Sequence, residues 1–246
     1  MLFRSVCFDE KYGNDTLTIP EMEEALDKGL NGKRLSVVGF DACLMADYEV
    51  AKALSKFSDM LIASQNYEVG LGWDYSTIGK SLSKKTGKDL AKDICDGYMD
   101  KCTEVDKAST ATLSAVDLTN FGTISKAFDE MMTGIDDEMD SSDGRLALRI
   151  AIKNSAAFGS NSNGHMDNFV DLAGAAHELS GHDIYNLSSR EINSEKADAV
   201  DKAVKDAILY KVNGDIKSNA TGLSVYYPSH YYMDEIQLIF LFSQEQ

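Results

Sequence analysis

The sequence predicts an α/β fold, a mostly parallel sheet with helices on both faces. Three observations carry this. Residues 17–64 read helix, strand, helix, strand, an order that calls for a parallel sheet with crossover helices. The run Leu35 to Phe40 (LSVVGF) is short, apolar and valine-rich, as buried parallel strands are. The chain of 246 residues is 43% hydrophobic and 26% charged, enough for one large domain with a substantial core.

The elements follow in order. Thr18-Ile-Pro-Glu21 is a helix start: Thr18 can cap, Pro20 suits the first turn, and Glu21 completes a capping box. Gly29 and Asn31-Gly32 should stop that helix, because both residue types tolerate the left-handed cap. After LSVVGF, residues Ala42 to about Lys56 place Leu44, Tyr48, Ala51 and Leu54 at helical spacing. Met60 to Ser64 is a second buried strand, and residues 66–75 form a glycine-rich aromatic loop. Helices are expected at about 76–84 and 88–103, then a strand at Thr110 to Val116. Further helices are expected at about 119–132, 144–158, 167–180 and 189–211, with Asp136 to Asp143 as an exposed loop. A last strand, Leu223 to Tyr227, is closed by Pro228.

Charge and cysteines narrow the function. With 24 basic and 40 acidic side chains the formal net charge is -16, which repels phosphate backbones and argues against a nucleic-acid partner. It suits cationic partners such as Lys- or Arg-bearing peptides. Cys7, Cys43, Cys95 and Cys102 make no CxxC pair, so neither a disulfide scaffold nor a zinc ribbon is expected. Cys95 and Cys102 lie on one predicted helix and read as semi-buried thiols. The start MLFRSVCF has no long apolar segment, so no signal peptide is recognised. No stretch approaches the length of a membrane helix, and no membrane partner is expected.

Function in parallel α/β sheets sits at the carboxyl ends of strands. The strand LSVVGF runs directly into Asp41-Ala42-Cys43. Cys43 is therefore expected at a strand end and in the first turn of a helix, where the helix N-terminus would stabilise a thiolate. Asp41 lies two residues earlier, on the same side of an extended segment. Its carboxylate is expected close to the site, with a cap of the following helix as the other reading.

The string GFDACLM, followed by Glu49-Val50-Ala51, resembles the nucleophile motif of the clostripain family of cysteine peptidases. LTIPEMEEAL upstream, Ser64-Gln65, Gly72-Trp73-Asp74-Tyr75 and Gly222 to Pro228 (GLSVYYP) extend the likeness over roughly residues 5 to 230. The resemblance implies a caspase-like fold and one peptidase domain over 1–246. Its core would be about 1–120 plus a late strand at about 222–228, with a mostly helical region at about 120–211.

It also implies a Cys-His dyad and cleavage after Arg or Lys, with Asp41 matching the aspartate of an acidic pocket floor and Asp74, in the Gly-Trp-Asp loop, a weaker second candidate whose other reading is a turn residue. The family's histidine, in a His-Gly pair upstream of the segment matched by Phe8-Asp9-Glu10, would fall before Met1. The first strands of the fold would fall there too. No histidine precedes Cys43, so the chain by itself is expected to be inactive. His165, His177, His182 and His230 lie far downstream, and His165 is the least remote substitute.

No cofactor is implied. Calcium dependence occurs in the family's namesake, but no DxDxDG-type loop is present. The resemblance places the protein in a bacterial secretory or envelope setting. Two other readings stand beside the peptidase: a non-catalytic homologue that binds basic peptides or partner proteins, and a thiol hydrolase or transferase of small substrates.

Overall fold

The computed structural model describes residues 5–13, 15–82, 86–138, 140, 142–159, 169–181 and 194–227. His165, His182, His230 and Pro228 lie outside them. The chain divides into two compact units, Met1–Phe121 with Ala207–Ser218, and Gly122–Asp206 with Asn219–Gln246.

The first unit opens with β1 (Ser5–Asp9) and β2 (Asp15–Thr18), an antiparallel pair. Helix α1 (Ile19–Leu30) follows. The Thr18 side chain accepts from the Glu21 N–H while the Glu21 carboxylate reaches back to the Thr18 N–H, and Asn31 ends the helix in the left-handed conformation. This is the capping box expected from the sequence, and it satisfies two orphan donors at once.

Strand β3 (Val38–Gly39), helix α2 (Tyr48–Leu54) and strand β4 (Met60–Ala63) come next. β3 pairs β4 in parallel, Val38 opposite Leu61 and Gly39 opposite Ile62. Regular pairing is thus shorter than LSVVGF, although Leu35 makes one further parallel bridge to Ser58. Helices α3 (Tyr75–Leu82) and α4 (Gly87–Glu104) lead to β5 (Thr112–Asp117).

The second unit carries α5 (Phe121–Glu138, starting at the junction) and α6 (Ser142–Asn154), then β6 (Ala157–Phe158) and β7 (Phe169–Asp171). Helices α7 (Leu172–Leu179) and α8 (Ser194–Ala207) follow, then β8 (Ile208–Asn213) in the first unit and β9 (Ser224–Tyr226) in the second.

The main sheet has the order β3-β4-β5-β8. It is mixed: parallel between β3 and β4, antiparallel between β4 and β5 and between β5 and β8. Met60, Ile62, Leu113 and Ala115 pack against Leu90, Ile94, Cys95, Tyr98 and Cys102 of α4. Strand alternation thus turns one sheet face onto one helix. Leu61, Ile62, Leu113 and Tyr98 are at most 1% exposed; truncating one such leucine to Ala costs about 2–5 kcal/mol.

Several sequence expectations need correction. Ala157–Phe158 and Phe169–Asp171, read within helices, form β6 and β7. Residues 208–211, read as the end of a long helix, belong to β8 (Ile208–Asn213). Ile, Leu, Tyr and Val favour a pleated ladder, and β5 offers one, with Val212 opposite Leu113. The late strand β9 does not join the main sheet; it pairs β7 in a separate sheet of order β6-β7-β9. Helix α5 runs to Glu138, so part of the acidic segment expected as loop is helical.

Candidate active site

Cys43 follows the carboxyl end of β3, as expected, but not in the first turn of a helix. It lies in a turn, and α2 begins only at Tyr48. The cause is local. Leu44 adopts φ 64°, a left-handed conformation that a right-handed helix cannot include and that costs a bulky residue about 1–2 kcal/mol. Backbone donors of the turn are used across the sheet instead: the Leu44 N–H donates to Asn66 O at 3.1 Å and the Ala46 N–H to Ser64 O at 2.9 Å.

Those acceptors are themselves fixed by β5. The Ser64 and Thr112 hydroxyls lie 3.0 Å apart, the Asn66 N–H reaches Thr112 Oγ1 at 3.1 Å, and Asn66 Nδ2 donates to Thr110 O at 3.0 Å. A chain of polar contacts therefore runs from β5 through Asn66 to the residue after Cys43.

The half-buried Cys43 sulfur accepts the backbone N–H of Glu68 at 3.2 Å. The donor that the sequence reading sought at a helix N-terminus comes from the loop after β4. The other thiols differ: Cys95 and Cys102 are buried in α4, and burial pushes both thiol pKa values up.

Asp41 lies against the glycine-rich loop. Its Oδ2 accepts the Trp73 N–H at 3.1 Å and the Tyr75 hydroxyl at 2.9 Å. Gly72 makes this possible. It has φ 66°, and a Cβ there would meet Asp41 Oδ2 at 2.6 Å. Gly39 is needed for a similar reason, since its Cβ would lie 2.9 Å from the Trp73 ring. The buried Trp73 in turn gives its indole N–H to Glu68 Oε2 at 3.2 Å.

Glu68 escaped the sequence reading. Burial first, then a side-chain hydrogen bond with Asp41 and the Asp41 charge, raise its pKa to about 9. Its Oε1 is buried and receives no hydrogen bond from the described residues. A protonated Glu68 resolves both facts, because a carboxylic acid can donate to the Asp41 carboxylate while a carboxylate cannot.

Asp74 is engaged elsewhere. Its carboxylate accepts from the Ser76 N–H at 3.0 Å and from the Ser76 and Thr77 hydroxyls. The Thr77 and Ser76 contacts hold its pKa down to about 2. This is a cap at the start of α3. His177 sits on α7 in the second unit, with Nδ1 3.6 Å from Asp201.

Among the described residues no group of three or more His, Cys, Asp or Glu side chains is placed to hold a metal ion, and no helix is long and apolar enough to cross a membrane.

A mixed α/β sheet with a cysteine at the exit of its parallel pair is the architecture of the caspase-like peptidases. The sequence profile of the clostripain family matches residues 1–240, and the chain belongs to that family, whose members are cysteine peptidases. It is similar in fold to a clostripain from Bacteroides thetaiotaomicron in complex with the peptide inhibitor BTN-VLTK-AOMK, at 16% identity and TM-score 0.58, covering 92% of each chain. A cysteine protease of B. fragilis is similar at 17% identity and TM-score 0.62, covering 94% of this chain and 91% of that one. A secreted cysteine protease from Bacteroides thetaiotaomicron, iotapain, matches at 17% identity and TM-score 0.62, covering 87% of this chain and 55% of that one. The chain has no match among curated protein sequences.

Proposed function

We propose that the protein is an endopeptidase that cleaves after Arg or Lys, with Cys43 as nucleophile and Asp41 as the acid that receives the basic side chain. The observation that carries this reading is the placement of Cys43 Sγ on the Glu68 N–H, with Asp41 two residues earlier bonded to the same loop. In the proposed reaction the Cys43 thiolate adds to the scissile carbonyl carbon. The C–N bond then breaks, and the departing amine takes a proton from a histidinium. Water next hydrolyses the thioester, giving its proton to the histidine and returning the thiolate.

The dyad's histidine is assigned to sequence ahead of Met1, as in the family motif, since each of the four histidines here follows Cys43. A chain without that partner should turn over slower by about three or more orders of magnitude.

The basic preference is supported by chemistry. The exposed Asp41 carboxylate offers an anionic partner to an Arg or Lys side chain, and a substrate that covered it with a neutral side chain would leave that charge unpaired. The inhibitor bound by the Bacteroides thetaiotaomicron clostripain carries the peptide VLTK, which ends in lysine. Asp74 remains a second candidate acid in the same loop, although its oxygens serve the α3 cap. Secretion is proposed by analogy with iotapain.

The test is a panel of fluorogenic peptides with Arg, Lys, Leu or Asp before the scissile bond, given to this chain and to a version extended by its upstream coding sequence. Cleavage after Arg and Lys by the extended protein, with little by the shorter one, is expected. Comparable turnover by both would remove the upstream histidine. Equal cleavage of the Leu peptide would remove the basic pocket.

A further inference from the structure

One residue touches both halves of the candidate site. Glu68 gives its backbone N–H to Cys43 Sγ, accepts the Trp73 indole N–H on Oε2, and has its carboxyl near enough to Asp41 for that side chain to help raise its pKa. Its remaining oxygen is buried and accepts from no donor among the described residues. Trp73 and Tyr75 also reach Asp41, through the Trp73 N–H and the Tyr75 hydroxyl. The loop is further tied to α4, where Lys101 Nζ donates to Leu71 O and Trp73 O, each at 3.1 Å.

We propose that Glu68 is the positioning residue of the site: its backbone seats the Cys43 sulfur while its carboxyl bridges the Trp73 indole and the Asp41 carboxylate, so that nucleophile and pocket acid are set together. The proposal rests on the reading of Cys43 and Asp41 given above. It requires Glu68 to carry its proton, because only the acid form can donate to Asp41 while accepting from Trp73. Ionisation would set two carboxylates against each other in a partly buried space and push the loop off Asp41.

The other titratable groups facing Glu68 do not supply a compensating charge at that point. Tyr98 and Cys102 of α4 are neutral at physiological pH, with pKa values raised by burial. Tyr75 is likewise shifted upward, first by its hydrogen bond to Asp41. Lys101 is the nearby cation, and its ammonium is directed at the Leu71 and Trp73 carbonyls.

Trp73 is the single tryptophan of the chain, so its fluorescence reports the indole's bond to Glu68 directly. The wild-type chain, titrated from pH 6 to 10, should show a fluorescence transition centred near the Glu68 pKa of about 9. Glu68→Gln keeps an acceptor for the indole and a donor for Asp41, and should show none. A flat wild-type trace, or the same transition in Glu68→Gln, overturns the proposal.

Alkylation of Cys43, mapped by mass spectrometry, gives the second readout. The wild-type to Glu68→Gln rate ratio should be near unity at pH 7 and fall about threefold or more by pH 9.5, as the wild-type acid ionises. Glu68→Ala should be slow already at pH 7. A ratio that stays constant with pH overturns the role of Glu68 alone. Absence of Cys43 labelling in the wild type at every pH overturns the nucleophile reading instead.

Discussion

The Glu68 N–H points at the Cys43 sulfur from 3.2 Å, across 25 residues of sequence. The nucleophile candidate is thereby held from the loop after β4 rather than by a helix of its own. A donor at this distance fixes the position of the sulfur, and its partial exposure distinguishes Cys43 from the thiols buried in α4.

Cys43 should accordingly be alkylated well before Cys95 and Cys102. Limiting iodoacetamide followed by peptide mapping measures this. Both α4 thiols are at most 1% exposed, and burial raises their pKa values. Preferential labelling of either would contradict the assignment.

Asp41→Asn keeps acceptors for the Trp73 N–H and the Tyr75 hydroxyl but removes the charge. In an extended, active protein, kcat/KM for Arg and Lys peptides should drop about a hundredfold or more, the scale expected when a desolvated cation loses its partner. The melting temperature should move little. An unchanged Arg-to-Leu preference would take Asp41 out of the pocket.

Gly72→Ala should displace the Asp41 carboxylate, since the added Cβ would lie 2.6 Å from its Oδ2 in a backbone conformation at φ 66°. Such left-handed positions penalise a side chain by about 1 kcal/mol or more. Chemical denaturation should show that loss, together with weaker selection for basic peptides. Wild-type stability would contradict the packing.

Asp47 predicts a pH effect on stability. It precedes α2 and is buried, and burial first, then the Glu49 charge, raises its pKa to about 8. The sign follows from linkage. The unfolded chain releases this proton near the ordinary aspartate value of about 3.9, whereas the folded chain holds it to about 8. The folded state binds more protons in between, so this group costs stability as pH rises through that window. Asp47→Asn should be stabilising at pH 7.5, with the advantage shrinking toward pH 4. Melting curves across that range decide it; a constant difference would show that the carboxyl is ionised throughout.

Much of this was legible in the sequence where local chemistry sets structure. Thr18 and Glu21 form their capping box, and the strands on either side of Cys43 pair in parallel. The misses are non-local. Ile208 follows Ala207 with no Gly or Pro to mark the change from α8 to β8, and only pairing with β5 reveals the strand. Leu44 looks helical by spacing, yet Asn66, fixed by Thr110 and Thr112, captures its N–H and turns it left-handed. The partner of β9 is a three-residue strand too short to announce itself. Glu68 carries no motif of its own. Its importance comes from Trp73, Asp41 and Cys43, which meet only after folding.

The central claim is that Cys43 forms the covalent intermediate. The most direct measurement is to treat the extended protein with a lysine-ending peptide acyloxymethyl ketone and locate the adduct by tandem mass spectrometry, beside Cys43→Ala. The account predicts one adduct, on Cys43, with neither adduct nor peptide cleavage in Cys43→Ala. An adduct on another residue, or undiminished cleavage by Cys43→Ala, would contradict it.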